Sequence, residues 1–156
     1  MSFKTNPSLN SLNSLHKTLL IRQVIFALVA SFLLFGNKVI PPFKEYDLVL
    51  QLLVLSLSCG GLYFGTFYIL KGQVAQIKKS NLTPGEKFSR YRKACIMQWA
   101  LIECPCLFSI MCLLLVGNFS FLALAAALVV LFAMLTPTSI KIQLLLELSE
   151  EDVASL

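Results

Sequence analysis

Four apolar runs, at residues 19–35, 48–70, 94–116 and 119–135, each approach or match the roughly 17–25 residues that cross a bilayer as helix. A chain of 156 residues with four such runs has no room for a separate soluble domain. Charged residues are 13% of the chain, about half the share usual in soluble domains, and 57% are hydrophobic. Mean hydropathy is +0.79. The chain therefore reads as an all-α polytopic membrane protein. Four transmembrane helices are expected at about 18–36, 47–70, 94–116 and 119–136, forming two hairpins with cytoplasmic helical extensions.

Residues 1–17 read as a polar cytoplasmic leader rather than a signal peptide. Ser and Asn dominate it, Arg22 interrupts the apolar run that follows, and no small-x-small cleavage site precedes Pro41. Residues 138–156 are too short to span and too apolar to be wholly solvated. They read as an interfacial or bundle-capping tail kept in water by Glu147, Glu150, Glu151 and Asp152.

Charge sets the orientation. Between the second and third runs lie Lys71, Lys78, Lys79, Lys87, Arg90, Arg92 and Lys93 against one acid, Glu86. The first loop balances Lys38 and Lys44 with Glu45 and Asp47, and the Gly117-Asn118 turn is uncharged. The positive-inside rule then puts both termini and the central loop in the cytoplasm. Lys78, Lys79, Lys87, Arg90, Arg92 and Lys93 are also candidates for binding anionic lipid headgroups. No nucleic-acid-binding pattern accompanies them.

Glu103 is the functional candidate. At about 1.5 Å per residue it lies roughly 15 Å past Lys93, half the depth of a hydrocarbon core. A carboxyl there is protonated, paired or facing a wet cavity. Either it titrates, or it hydrogen-bonds across helices to Gln98, Ser56, Ser58 or Tyr63. Arg22 is expected about one turn inside the first span, snorkelling to the headgroups, and reaches Glu103 only if that span sits deeper. Pro105 removes an amide from the ladder, frees the Leu101 carbonyl and predicts a kink beside the acid.

Small residues four apart, Gly61 with Gly65 and Ala123 with Ala127, predict close helix packing and self-association. Thr83-Pro84-Gly85-Glu86 predicts a capped helix start outside the membrane. An offset of 81 residues superposes Phe35-Gly36-Asn37 on Val116-Gly117-Asn118 and Arg22 on Glu103, consistent with a parallel duplication of a hairpin. All five cysteines fall inside the expected spans, so no disulfide framework is expected.

Three resemblances accompany these residues. Cys104-Pro105-Cys106 resembles the Cys-Pro-Cys motif in membrane helices of heavy-metal P-type ATPases, where thiolates ligate soft metals, but that family's phosphorylation and nucleotide machinery has no counterpart here. The segment 82–118, with the later Thr136-Pro137-Thr138 and Leu148-Ser149, resembles a group of small, uncharacterised four-helix bacterial membrane proteins. That likeness implies a fold and a bacterial inner membrane, and no activity. Ala100-Leu101-Ile102-Glu103 after a basic loop is similar to the ion-carrying helix of rotary ATPase proteolipids. Here, however, the acid sits in the third span and the dense glycine repeat is missing. The expectation is a non-enzymatic structural or accessory membrane subunit without cofactor; the alternative is a proton- or ion-translocating subunit that uses Glu103.

Overall fold

The computed structural model describes residues 9–36, 40–149 and 152. Among these, regular structure is helical and no strand occurs. Helix α1 spans Leu9–Phe35, and a single 3₁₀ turn, Lys44–Tyr46, leads into α2, Asp47–Tyr63. Without a break α2 passes through a π-helical segment, Phe64–Leu70, into α3, Lys71–Lys78. Then follow α4 (Pro84–Val116), α5 (Ser120–Met134) and α6 (Ser139–Leu146).

Among the described residues three helices are long and apolar enough to cross a membrane: α1, the rod Lys44–Lys78 and α4. Helix α5 has 15 residues and spans about 22 Å, short of a hydrocarbon core of about 30 Å. Together with α6, from which it is bent by 70°, it meets the same criterion as a broken pair. The apolar run expected at 119–136 is therefore a shorter straight helix than its composition suggested, ended before Thr136-Pro137 because proline cannot continue the ladder.

Helix α4 is the centre of the bundle. Of its most apolar eighteen residues 56% are buried, against 11% for α1 and 17% for the rod. Helices α1, α2 and α5 pack around it. On α1 the buried positions Leu12, His16, Gln23 and Ala30 recur at steps of four and seven, one stripe of a helix. That stripe corrects the expected leader. Leu12 and His16 are buried, so residues 9–17 are the first turns of α1 and not a tail; residues 1–8 lie outside the described residues.

The start of α4 is as its residues imply. The Glu86 carboxylate accepts from the Thr83 amide at 3.1 Å and from its hydroxyl at 2.9 Å, and Pro84 opens the helix. At the other end Gly117 takes φ 76° and donates to Leu113 O at 2.8 Å. A Cβ on Gly117 would lie 2.6 Å from Pro41 Cγ, so both conformation and space require glycine. Two bonds tie the loop after α1 to this end: Phe43 N–H donates to Leu115 O at 3.0 Å, and Asn118 Nδ2 donates to Asp47 Oδ2 at 2.6 Å. Asn37 and Lys38 lie outside the described residues.

Gly61 and Gly65 do serve close packing, but within the chain. A Cβ on Gly61 would collide with Leu101 O, and one on Gly65 would sit 3.3 Å from Gln98 Cγ. The face expected to join two copies is thus filled by α4. Ala123 and Ala127 remain exposed on α5. At the basic end, α6 buries Ile142 and Leu146 and packs on α3, so the tail caps the bundle. Lys78 Nζ pairs with Glu147 at 2.8 Å. Glu147 closes α6 at φ 54°, a left-handed conformation that suits glycine.

Gly61→Ala is expected to lower stability in detergent by about 1–3 kcal/mol, because a backbone carbonyl must move. Gly60→Ala, whose Cβ meets nothing within 4 Å, is expected to be neutral or stabilising by up to about 1 kcal/mol. Thermal unfolding of the pair separates a packing glycine from an ordinary one. At Glu147, glycine and alanine both remove the ion pair but only glycine relieves the backbone. Glu147→Gly is therefore expected to be more stable than Glu147→Ala by about 1 kcal/mol. The hydrogen bond from Lys78, then its charge, then Lys87, hold the Glu147 carboxyl below its ordinary range. A carboxylate more acidic when folded contributes above its unfolded value, near 4.3, and loses that contribution as pH falls through the folded one. Protease protection of α6 is expected to decline below about pH 4 and to weaken with salt.

Candidate functional site: an ion pair inside the bundle

Exposed aromatic side chains lie at two levels along the rod. Tyr63, Phe64, Phe67 and Tyr68 are exposed at one, where Lys71 Nζ lies 4.1 Å over the Phe67 ring. At the other, Phe35 and Phe119 meet at 5.0 Å between centroids, and Phe43 and Tyr46 are exposed. Such rings favour membrane–water interfaces. From Tyr46 to Tyr68 the rod covers about 33 Å, close to one hydrocarbon thickness.

Between these levels Arg22 Nη2 donates to Glu103 Oε1, joining α1 to α4. The pair forms because α1 and α4 run in the same direction in matched register. Arg22 precedes Phe35, the end of α1, by the same number of residues as Glu103 precedes Val116, the end of α4, about 20 Å in each case. Its two members differ in environment: the Arg22 side chain is 58% exposed and that of Glu103 11%. Arg22 does reach Glu103, the arrangement expected only if the first span sits deeper, and α1 begins at Leu9, more than three turns before the arginine. Glu103 is buried in the bundle, and it is paired.

The other expected partners lie elsewhere. Gln98 is buried, and its Nε2 donates to Thr66 Oγ1 at 3.2 Å, inside the π-helical segment. Ser58 Oγ donates to its own helix at Val54 O, 2.7 Å, as Ser56 does to Leu52 O. Tyr63 is exposed and stacks on Phe67 at 5.4 Å. Gly61 and Gly65 take the side of the rod that faces α4, and a residue two positions from each must point away.

Pro105 is buried, and α4 continues through it unbroken. The carbonyl it releases, Leu101 O, is the one against which Gly61 packs. A glycine Cα is the group that can approach so closely. Cys104 is exposed, whereas Cys106 is buried with Sγ 3.8 Å from Ala125 O. Positions two apart diverge on a helix, so these thiols do not converge on one ligand. Among the described residues no group of three or more His, Cys, Asp or Glu side chains could hold a metal.

Two buried polar residues on α1 went unread. His16 stacks on Phe132 at 4.7 Å between centroids and 2° between planes, lies 4.9 Å from Trp99, and has Nε2 3.0 Å from Phe132 O. Seven residues on, Gln23 is fully buried, and neither its Oε1 nor its Nε2 has a hydrogen-bond partner among the described residues. Shifting Trp99 and Phe132 by the same seven, along α4 and back along α5, gives Cys106 and Ala125, which do touch. Gln23 is next in sequence to Arg22 but on the buried side of α1. The readable signal was the spacing Leu9, Leu12, His16, Leu19, Gln23, Phe26, Ala30, an apolar stripe with two polar insertions.

Chemically, the pair is a fastener. A guanidinium does not give up its proton in proteins, so Arg22 cannot exchange one with Glu103. Arg22→Gln strands the better-buried carboxylate and is expected to lower stability by about 1–3 kcal/mol, less than the roughly 3–5 for a fully buried pair because the arginine is half exposed. Glu103→Gln leaves an exposed guanidinium and is expected to lose less, and the double variant to recover most of the loss. Thermal unfolding of the four proteins in detergent gives the coupling. No protein-family model, curated protein or solved structure matches the chain.

Proposed function

We propose that this protein is a non-enzymatic integral membrane protein, a structural or accessory subunit of a membrane complex. The observation that carries this reading is the Arg22–Glu103 pair: the intramembrane acid is engaged within the chain, facing α1 rather than open lipid. An ion carrier in a ring needs its carboxyl at the lipid or between subunits, free to cycle. In our reading α5 and α6 together make a fourth, broken span. The basic end faces the cytoplasm with both ends of the chain, and the membrane is the bacterial inner one. Exposed Lys78, Lys79, Arg90 and Lys93, with half-buried Lys87 and Arg92, suit contact with anionic headgroups there. Ala123 and Ala127 are the small-residue face left for another helix.

The competing reading, a proton- or ion-translocating subunit, draws on Gln23, a fully buried amide without a hydrogen-bond partner among the described residues, next in sequence to Arg22. Carbodiimide modifies protonated carboxyls, and so distinguishes the two. Native mass measurement of the nanodisc-embedded protein is expected to give a monomer, small oligomer or mixed complex, with Glu103 unlabelled by carbodiimide. A discrete ring whose labelling disappears in Glu103→Gln would transfer the protein to ion translocation.

A further inference from the structure

Arg22 makes one hydrogen bond among the described residues, to Glu103, and its side chain is 58% exposed. A guanidinium carries five N–H donors, so donors remain on its open side. Beside it runs an apolar groove of about 390 Å³ along the outer face of α1, lined by Thr18, Ile21, Arg22, Ile25, Phe26 and Val29. The groove itself is almost wholly apolar, lined by the stem of the arginine, whose exposed guanidinium lies at its margin.

Direction and depth decide what can meet those donors. Helical side chains lean toward the N-terminus, which for α1 is the basic end. The arginine lies about 20 Å from the Phe35 level and so about 13 Å from the Tyr68 level, a distance that an extended side chain and a locally drawn-in headgroup cover between them. Lys17, exposed and a turn and a half nearer that end, repels a choline and favours a headgroup without one.

We propose that this groove holds one anionic phospholipid from the leaflet at the basic end, its phosphate on Arg22 and an acyl chain along Ile21, Ile25 and Val29. Arginine suits the phosphate because its planar fork offers paired donors while another N–H stays on Glu103. The lipid is then a component of the α1–α4 contact. Its site is separate from the lysines and arginines between α3 and α4.

The probe is lipid selectivity of the full chain in nanodiscs of equimolar phosphatidylcholine and phosphatidylglycerol, read as lipids retained in native mass spectra. The wild type is expected to retain phosphatidylglycerol preferentially. Arg22→Gln with Glu103→Gln, which removes both charges and strands neither, is expected to reduce that preference about fivefold, the factor one cation near a surface is worth. Ile25→Trp fills the groove without touching a charge and is expected to reduce it as well. Lys78→Gln with Lys79→Gln is expected to leave the Arg22-dependent part intact. Equal retention by wild type and the Arg22 and Ile25 variants overturns the proposal. Displacement of the lipid by inorganic phosphate would reassign the site to a soluble anion, and an Arg22-dependent dimer in phosphatidylcholine alone would make the face a contact between copies. Either result also overturns the proposal.

Discussion

A charge in hydrocarbon has to be answered by another charge, by hydrogen bonds or by water, and the arrangement of α1 follows from that requirement. Only 11% of α1's most apolar window is buried, so apolar contact gives this helix little reason to hold one register. Lipid is as apolar as leucine, and sliding α1 along α4 would cost little in dispersion alone. The Arg22–Glu103 bond removes that freedom, and about two turns away His16 on Phe132 O fixes α1 against α5. Matched register at two depths makes a loosely covered helix part of the bundle.

On the opposite side of α4 a backbone defect does comparable work. Pro105 deprives the Leu101 carbonyl of its amide, and an unpaired carbonyl in a bilayer is expensive. Gly61 brings α2 close enough to shield it, and the neighbouring Gly65 admits Gln98, which donates to Thr66 in the π-helical segment. A wider turn there offers its own side chain to a neighbouring helix. The defects of one helix are thus complemented by the irregularities of the next, which places α4 at the centre with three helices around it.

Between the two halves of the chain the likeness in sequence does not become likeness in environment. Arg22 and Glu103 occupy equivalent positions at an offset of 81 and touch. Their helices run in the same direction, as a parallel repeat requires. Yet α4 is surrounded and α1 is peripheral, and α5 with α6 is bent by 70° at a break where the rod of α2 and α3 is continuous. Proline at 137 ends α5, whereas the rod continues through Gly72 to Lys78. The Leu148-Ser149 segment that follows α6 resembles the Leu82-Thr83 start of α4 in residue type. It stands at the end of a capping helix, with Ser149 bonded to Asp152 at 2.8 Å.

Legible in the residues alone was whatever depends on local pattern: the helical character of the apolar runs, the capped start at Thr83, the glycine at 117 and the closeness of Gly61 and Gly65 to some helix. Each follows from chemistry within a few residues. Only the tertiary structure decided who meets whom. Gly61 and Gly65 meet α4 rather than a second copy, Gln98 meets Thr66 rather than Glu103, and residues 9–17 become helix because Leu12 and His16 find a core that their own segment lacks. Partner choice rests on the register and azimuth of whole helices, and these are set by the sum of contacts along each seam. In a chain where most side chains are interchangeable hydrocarbon, the few polar groups select among the registers that apolar packing leaves nearly equal in energy.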